Sequence, residues 1–146
     1  MKKIICYTDG GSRGNPGPSG LGAYVIDENK KVLKEVAEFL GNGTNNFAEY
    51  QAVVVALQTL KKMFGKKTKE MEFEIRMDSE LIQKQLNNEY QIKEPGLIPQ
   101  FIEIHNMCVS SFPQITFTHV RREKNVEADR LANEAMDSVG QGQLVL

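Results

Sequence analysis

The chain carries almost no surplus charge: 18 lysines and arginines stand against 19 acids, a formal net charge of −1. No strong overall field is available to draw in a polyanion, so any such partner has to be met by local basic patches. Histidine is scarce, with only His105 and His119, and the two cysteines, Cys6 and Cys108, lack CxxC spacing. That excludes a zinc site built on the usual cysteine and histidine spacings. Both cysteines fall in predicted regular structure, so buried free thiols in a reducing cytoplasm are expected rather than a disulfide. Long apolar runs are missing as well. The longest, Ala52 to Leu57, is far short of the roughly 20 residues that span a bilayer. Ile4 to Tyr7, behind the two N-terminal lysines, is too short for a secretory h-region. A cytoplasmic, soluble protein without a membrane partner is expected.

What is present fits one globular unit. The chain has 146 residues, of which 40% are apolar and 25% charged, enough for a hydrophobic core. It shows no repeat and no linker, so residues 1–139 read as a single domain. The stretch 140–146, "GQGQLVL", reads as a C-terminal tail, either folded against a sheet edge or disordered.

Periodicity orders the elements. Lys3 to Thr8 is apolar on both faces and reads as a central strand. Gly20 to Asp27 and Lys31 to Leu40 form a hairpin across "ENKK". A helix follows, capped by Asn45 or Asn46, running to Phe64 and stopping at Gly65. "MEFEIRM" alternates with period two and ends at Asp78. Ser79 to Asn88 and Pro95 to Val109 are helices, Ile115 to Val120 a fifth strand, and Val126 to Val139 a last helix. The order βββαβααβα makes an α/β layer fold with a mixed five-stranded sheet.

Four acids stand at telling places. Asp9 and Asp78 each follow a strand and precede a small residue. If those strands are parallel neighbours, both carboxylates emerge at the carboxyl edge, where α/β sheets place ligands. Turn or cap formation is the bland reading of each. Glu49 shares a helical stripe with Ala52, Val53, Ala56 and Leu60, so it faces the core and needs a proton, a partner or a metal. Its competing role is a capping box from Asn46. Asp129 borders the stripe Ala128, Leu131, Ala132 and Ala135, where a first-turn acid also complements the helix dipole. Four clustered carboxylates repel one another strongly at low dielectric. A divalent cation relieves this, and an all-oxygen site suits Mg²⁺ or Mn²⁺.

"YTDGGSRGNPGPSGLGAYV", "TNNFAEYQAVVVAL", "RMDSELI" and "NVEADRLANEA" together resemble, in order and spacing, the four motifs of ribonuclease H, type 1. The resemblance covers roughly Lys3 to Met136 and implies the ribonuclease H-like fold. It implies a monomeric, metal-dependent endonuclease that hydrolyses the RNA strand of RNA/DNA hybrids, leaving 5′-phosphate and 3′-hydroxyl ends. Asp9, Glu49, Asp78 and Asp129 become the catalytic, metal-binding acids of a two-metal site holding Mg²⁺, with Mn²⁺ as a substitute. By the same analogy Asp9 bridges the metals, Asp129 holds the one that activates water, and Glu49 stands nearest the ribose. Hybrid contacts fall to Gly11, Ser12, Asn15, Asn45, Asn46 and Glu80, with Thr44 placed for a DNA phosphate. Small residues at Gly10, Gly11 and Ser12 are expected to let the backbone approach the sugar.

The chain departs from the family pattern in three places. Many members carry a Gly-His loop before the last acid; here the region is "THVRREKNVEAD". Period two puts His119 inside the fifth strand, and Arg122 or Glu123 is placed to take the auxiliary role, Arg122 ranking first. Glu80 stands where many members have glutamine. The basic helical protrusion is missing, and the chain has no tryptophan. Substrate cations are then expected from Arg121, Arg122, Lys124 and Arg130 rather than from the lysines at 61, 62, 66, 67 and 69. Two competing readings are a non-catalytic nucleic-acid-binding domain on the same scaffold and a related nuclease for DNA or single strands.

Overall fold

A computed structural model describes the backbone of residues 2–145 and the side chains of residues 2–138. Five strands, β1 (Lys3–Ser12), β2 (Gly17–Asp27), β3 (Val32–Gly43), β4 (Glu72–Met77) and β5 (Ile115–His119), form one sheet in the order β3-β2-β1-β4-β5. β1 lies in the middle, as its two apolar faces require. It pairs antiparallel with β2 and parallel with β4, so the sheet is mixed. The β2–β3 turn is held by Asp27, whose Oδ1 accepts from the backbone N–H groups of Asn29 and Lys31, both at 2.9 Å.

Helices cover both faces. α1 (Asn45–Phe64), α2 (Glu80–Leu86) and α3 (Ile98–Ser111) enclose the main core with Ile4, Cys6, Val25, Phe73, Ile75 and Met77 of the sheet. α4 (Val126–Val145) packs on the other face, chiefly over β2 and β3. Two glycines admit it. A Cβ at Gly22 would lie 2.3 Å from the Ala128 carbonyl oxygen, and one at Gly20 would lie 3.1 Å from that of Ala132. Bare backbone at these two points lets α4 sit directly on β2 and carries Asp129 toward the strand ends.

Two boundaries differ from the sequence reading. α1 is capped by Thr44, not by Asn45 or Asn46: its backbone is extended, and its Oγ1 accepts from Phe47 N–H at 3.1 Å. Both asparagines are drawn off by tertiary partners described below. α4 continues through residues 140–145 instead of stopping at Val139, because Gly140 and Gly142 weaken a helix without forbidding it. Whether the side chains of that stretch meet a sheet edge lies outside the described residues. Cys6 and Cys108 are free thiols, Cys6 fully buried. Among the described residues no helix is long and apolar enough to cross a membrane.

Candidate metal and nucleic-acid site

The parallel pairing of β1 with β4 ends at Thr8 opposite Met77. The next residue on each strand is an acid, Asp9 and Asp78, so their carboxylates emerge side by side at the carboxyl edge. Glu49 reaches the same point from the first turns of α1. One carboxylate oxygen from each of Asp9, Glu49 and Asp78 lies within 4.8 Å of the others. Asp129 arrives from the first turn of α4, lines the same cleft, and is close enough for its charge to act on the Asp9 carboxyl. It is the exposed member of the quartet, while Asp9 is buried.

Glu49 can come this close because of Gly10. A Cβ there would stand 2.2 Å from the Ala48 carbonyl and 2.5 Å from the Glu49 nitrogen. The helix start is therefore pressed against the strand, and the glycine is needed by the protein's own packing. Gly11 is different: its added Cβ would meet only Met136 Cε, at 3.7 Å. Only at the second glycine is space left on the cleft side for another molecule, which refines the sequence expectation for this loop.

The electrostatics follow from the crowding. Burial, then the Asp78 and Asp129 charges, push the Asp9 carboxyl from an ordinary 3.8 up to about 8, against the Gly10 N–H that donates to its Oδ1 at 3.0 Å. Burial and the charges of Asp9 and Asp78 likewise raise Glu49, opposed by Arg122. Such a cluster holds protons at neutral pH unless a cation takes their place. The donor set is all carboxylate, neither histidine lines the cleft, and so the residues fit a hard divalent cation and not zinc.

The cleft around the acids encloses about 410 Å³, and Gly11, Ser12, Arg13, Asn45, Arg122, Asn133 and Met136 line it with the four acids. Ser12 N–H donates to Asn45 Oδ1 at 2.8 Å, and Asn45 N–H donates to Asn15 Oδ1 at 3.0 Å. These bonds clip the glycine-rich loop to the start of α1. The remaining expected residues stand further out. Thr44 spends its hydroxyl on the helix cap, and Asn46 donates to Glu94. Glu80 pairs with Lys84 at 3.0 Å. His119 is exposed on β5, opposite Met77. Glu123 lines a separate groove with Tyr7 and Tyr24. Of the three auxiliary candidates, only Arg122 lines the acidic cleft.

Sequence reasoning passed over Arg13 and Asn133. Arg13 forms an ion pair with Asp137 and donates to Asn133 Oδ1 at 3.4 Å, fastening the glycine-rich loop to α4. Asn133 Nδ2 in turn donates to the Asp129 carbonyl at 3.0 Å. The available signal was the i,i+4 spacing of Asp129 and Asn133 on one helical face. Arg130, counted above among the substrate cations, is held by Glu35, Glu127 and Glu134 at 2.5, 3.2 and 2.8 Å. It is committed within the protein, whereas Arg121, Arg122 and Lys124 are exposed, with Arg122 lining the acidic cleft and Lys124 the separate groove beside Glu123.

Comparison with known proteins agrees with this geometry. The family model described as reverse transcriptase-like matches residues 7–135. The bifunctional protein Rv2228c of Mycobacterium tuberculosis is 37% identical over 95% of this chain, which spans only 37% of that protein's length. Ribonuclease H of Clostridium botulinum is 31% identical over 94% of this chain and 97% of its own. The structure of LC11-RNase H1, isolated from compost, superposes with a TM-score of 0.91 at 49% identity, covering 95% of this chain and 99% of that one. The same enzyme has also been solved in complex with an RNA/DNA hybrid, at a TM-score of 0.90 and 48% identity over 93% of this chain and 98% of that one. With its mixed sheet, its acid-lined cleft and these relatives, the chain belongs to the ribonuclease H family.

Proposed function

We propose that this chain is a metal-dependent endonuclease that hydrolyses the RNA strand of RNA/DNA hybrids, leaving 5′-phosphate and 3′-hydroxyl ends. The observation that carries the reading is the meeting of Asp9, Glu49 and Asp78 within 4.8 Å, with Asp129 lining the same cleft. Family membership supports it, as does the hybrid bound by LC11-RNase H1. Asp9, Glu49, Asp78 and Asp129 would hold two Mg²⁺ ions, or Mn²⁺ in their place. Bound there, the ions would supply a water acidified toward hydroxide and charge neutralisation at the leaving 3′-oxygen.

The chain's own groups do the rest. Asp9, whose carboxyl feels the charges of both Asp78 and Asp129, is the acid that would be shared if two ions bind. Asp129, the exposed acid, faces the side from which water arrives. Glu49 stands nearest the ribose, and Arg122 beside it meets a phosphate. Gly11 and Ser12 let the backbone approach the RNA sugar, whose 2′-hydroxyl separates RNA from DNA. Asn15 and Asn45 brace that wall, and Asn46, Thr44 and Glu80 extend the contact surface outward. One copy of the chain supplies the whole quartet, so a monomer suffices. Free Cys6 and Cys108 suit a reducing cytoplasm.

The test is end-labelled RNA/DNA hybrid, double-stranded RNA and double-stranded DNA, each incubated with Mg²⁺, Mn²⁺ or EDTA. Cutting confined to the hybrid's RNA strand, and abolished by EDTA, is the expected result. Binding without cutting in either metal would instead identify a non-catalytic module, and cut DNA a different nuclease.

A further inference from the structure

Asn46 and Glu94 come from distant segments, yet Asn46 Nδ2 donates to Glu94 Oε1 at 2.8 Å. Buried contacts on both sides bring Glu94 there. Before it, Gln85 of α2 donates to the Gln91 carbonyl at 3.2 Å and accepts from the Tyr50 hydroxyl of α1 at 2.5 Å. After it, Pro95 keeps Glu94 extended, at φ −88° and ψ 110°. Leu97 is then buried in the core, and Gln100 of α3 donates to the Phe47 carbonyl at 3.2 Å and to Gln51 Oε1 at 2.9 Å. The connector between α2 and α3 is thus bolted to the first turns of α1 from either end. The reach of Glu94 to Asn46 follows from that anchoring.

A primary amide has a donor end and an acceptor end. Glu94 takes the donor end of Asn46, and among the described residues nothing donates to Asn46 Oδ1. A carboxylate only accepts, so the flipped amide, with two oxygens facing each other, is disfavoured. We propose that Glu94 is a positioning residue, fixing the Asn46 amide so that its Oδ1 meets the substrate duplex purely as an acceptor. In the minor groove such an acceptor selects donors, namely the ribose 2′-hydroxyl or the guanine 2-amino group. Adenine N3 and pyrimidine O2 are turned away. This rests on the hybrid-cleaving reading above, and it gives the short α2–α3 connector a part in recognition.

The test compares Glu94→Ala, Glu94→Gln, Asn46→Ala and the Glu94→Ala/Asn46→Ala double variant. Hybrid affinity is measured by fluorescence anisotropy in an Asp9→Asn background, and kcat and KM in the active enzyme. Glu94→Ala should weaken hybrid binding and raise KM by about 10-fold, as for a lost charge-assisted hydrogen bond, with kcat near that of the unmodified chain. Glu94→Gln, whose Oε1 still accepts, should restore most of that loss. The double variant should be no worse than Asn46→Ala alone. A hybrid with inosine for guanine names the donor: retained affinity assigns the 2′-hydroxyl, and a loss confined to chains with intact Glu94 assigns the 2-amino group. Additive losses, or Glu94→Ala binding hybrid like the unmodified chain, would overturn the proposal. An unmodified chain that neither binds nor cuts hybrid would overturn the functional reading itself.

Discussion

Asn125 donates from Nδ2 to the Thr8 carbonyl at 2.9 Å, while its own backbone carbonyl accepts from Asp129 N–H at 3.1 Å. One buried residue therefore ties the position before Asp9 to the helical turn bearing Asp129. Asn125→Ala should cost about 1–3 kcal/mol of stability through the orphaned Thr8 carbonyl. It should also lower kcat more than it raises KM, because it loosens two acids rather than the duplex contacts. Urea denaturation and steady-state hydrolysis check both, and an unchanged kcat would show that the tie does not serve the site.

Asp9→Asn should abolish hydrolysis and yet stabilise the metal-free protein. The folded-state pKa of Asp9 is raised to about 8, so the folded protein binds a proton that the unfolded chain gives up near pH 4. Metal-free stability should then fall as pH rises from about 4 through 8, by at most about 1.4 kcal/mol per pH unit and so by several kcal/mol in all for this group. Melting curves in EDTA at pH 5 and pH 8 should show the fall in the unmodified chain and a flatter response in the variant. Mg²⁺ should restore more stability at pH 8 than at pH 5. Equal slopes in the two proteins would contradict the assignment.

The two adjacent glycines should behave oppositely. Gly10→Ala forces a methyl into the Ala48 backbone and should destabilise by roughly 2–4 kcal/mol. Gly11→Ala meets only ordinary contact with Met136 and should fold with near-unchanged stability. Its defect should appear as a raised KM for hybrid. Thermal denaturation of both, beside kinetics of the second, separates packing from recognition.

Arg122→Ala should weaken hybrid binding and reduce the salt dependence of the binding constant by about one unit of log–log slope. Arg130→Ala, which breaks three ion pairs with Glu35, Glu127 and Glu134, should leave that slope alone. The overall slope should be shallow, since few free cations stand near the cleft. Affinity titrations across a salt series decide the matter, and a steep slope would mean that other lysines contact the duplex.

Much of the architecture was legible because it rests on local pattern. The double-sided apolar run of β1 marks a central strand, and the stripe from Glu49 to Leu60 puts a carboxylate where only a partner makes it tolerable. What stayed hidden depends on contacts between distant segments. "TNN" offers three good caps in a row, and Thr44 takes the role because Ser12 occupies Asn45 and Glu94 occupies Asn46. Gly10 looks like a ligand-side glycine until the start of α1 is seen against it. Arg130 reads as a free cation until Glu35 arrives from β3. Each of these residues is locally ambiguous, and a neighbour remote in sequence settles it.

The seat of α4 on Gly20 and Gly22 has a consequence for biosynthesis. Three members of the quartet leave the ribosome well before Asp129, and the last acid joins them only when the final helix docks. On the proposed reading, a nascent chain that has not yet docked α4 would hold Asp9, Glu49 and Asp78 without Asp129, so the cleft would be assembled only when that helix seats on the two glycines.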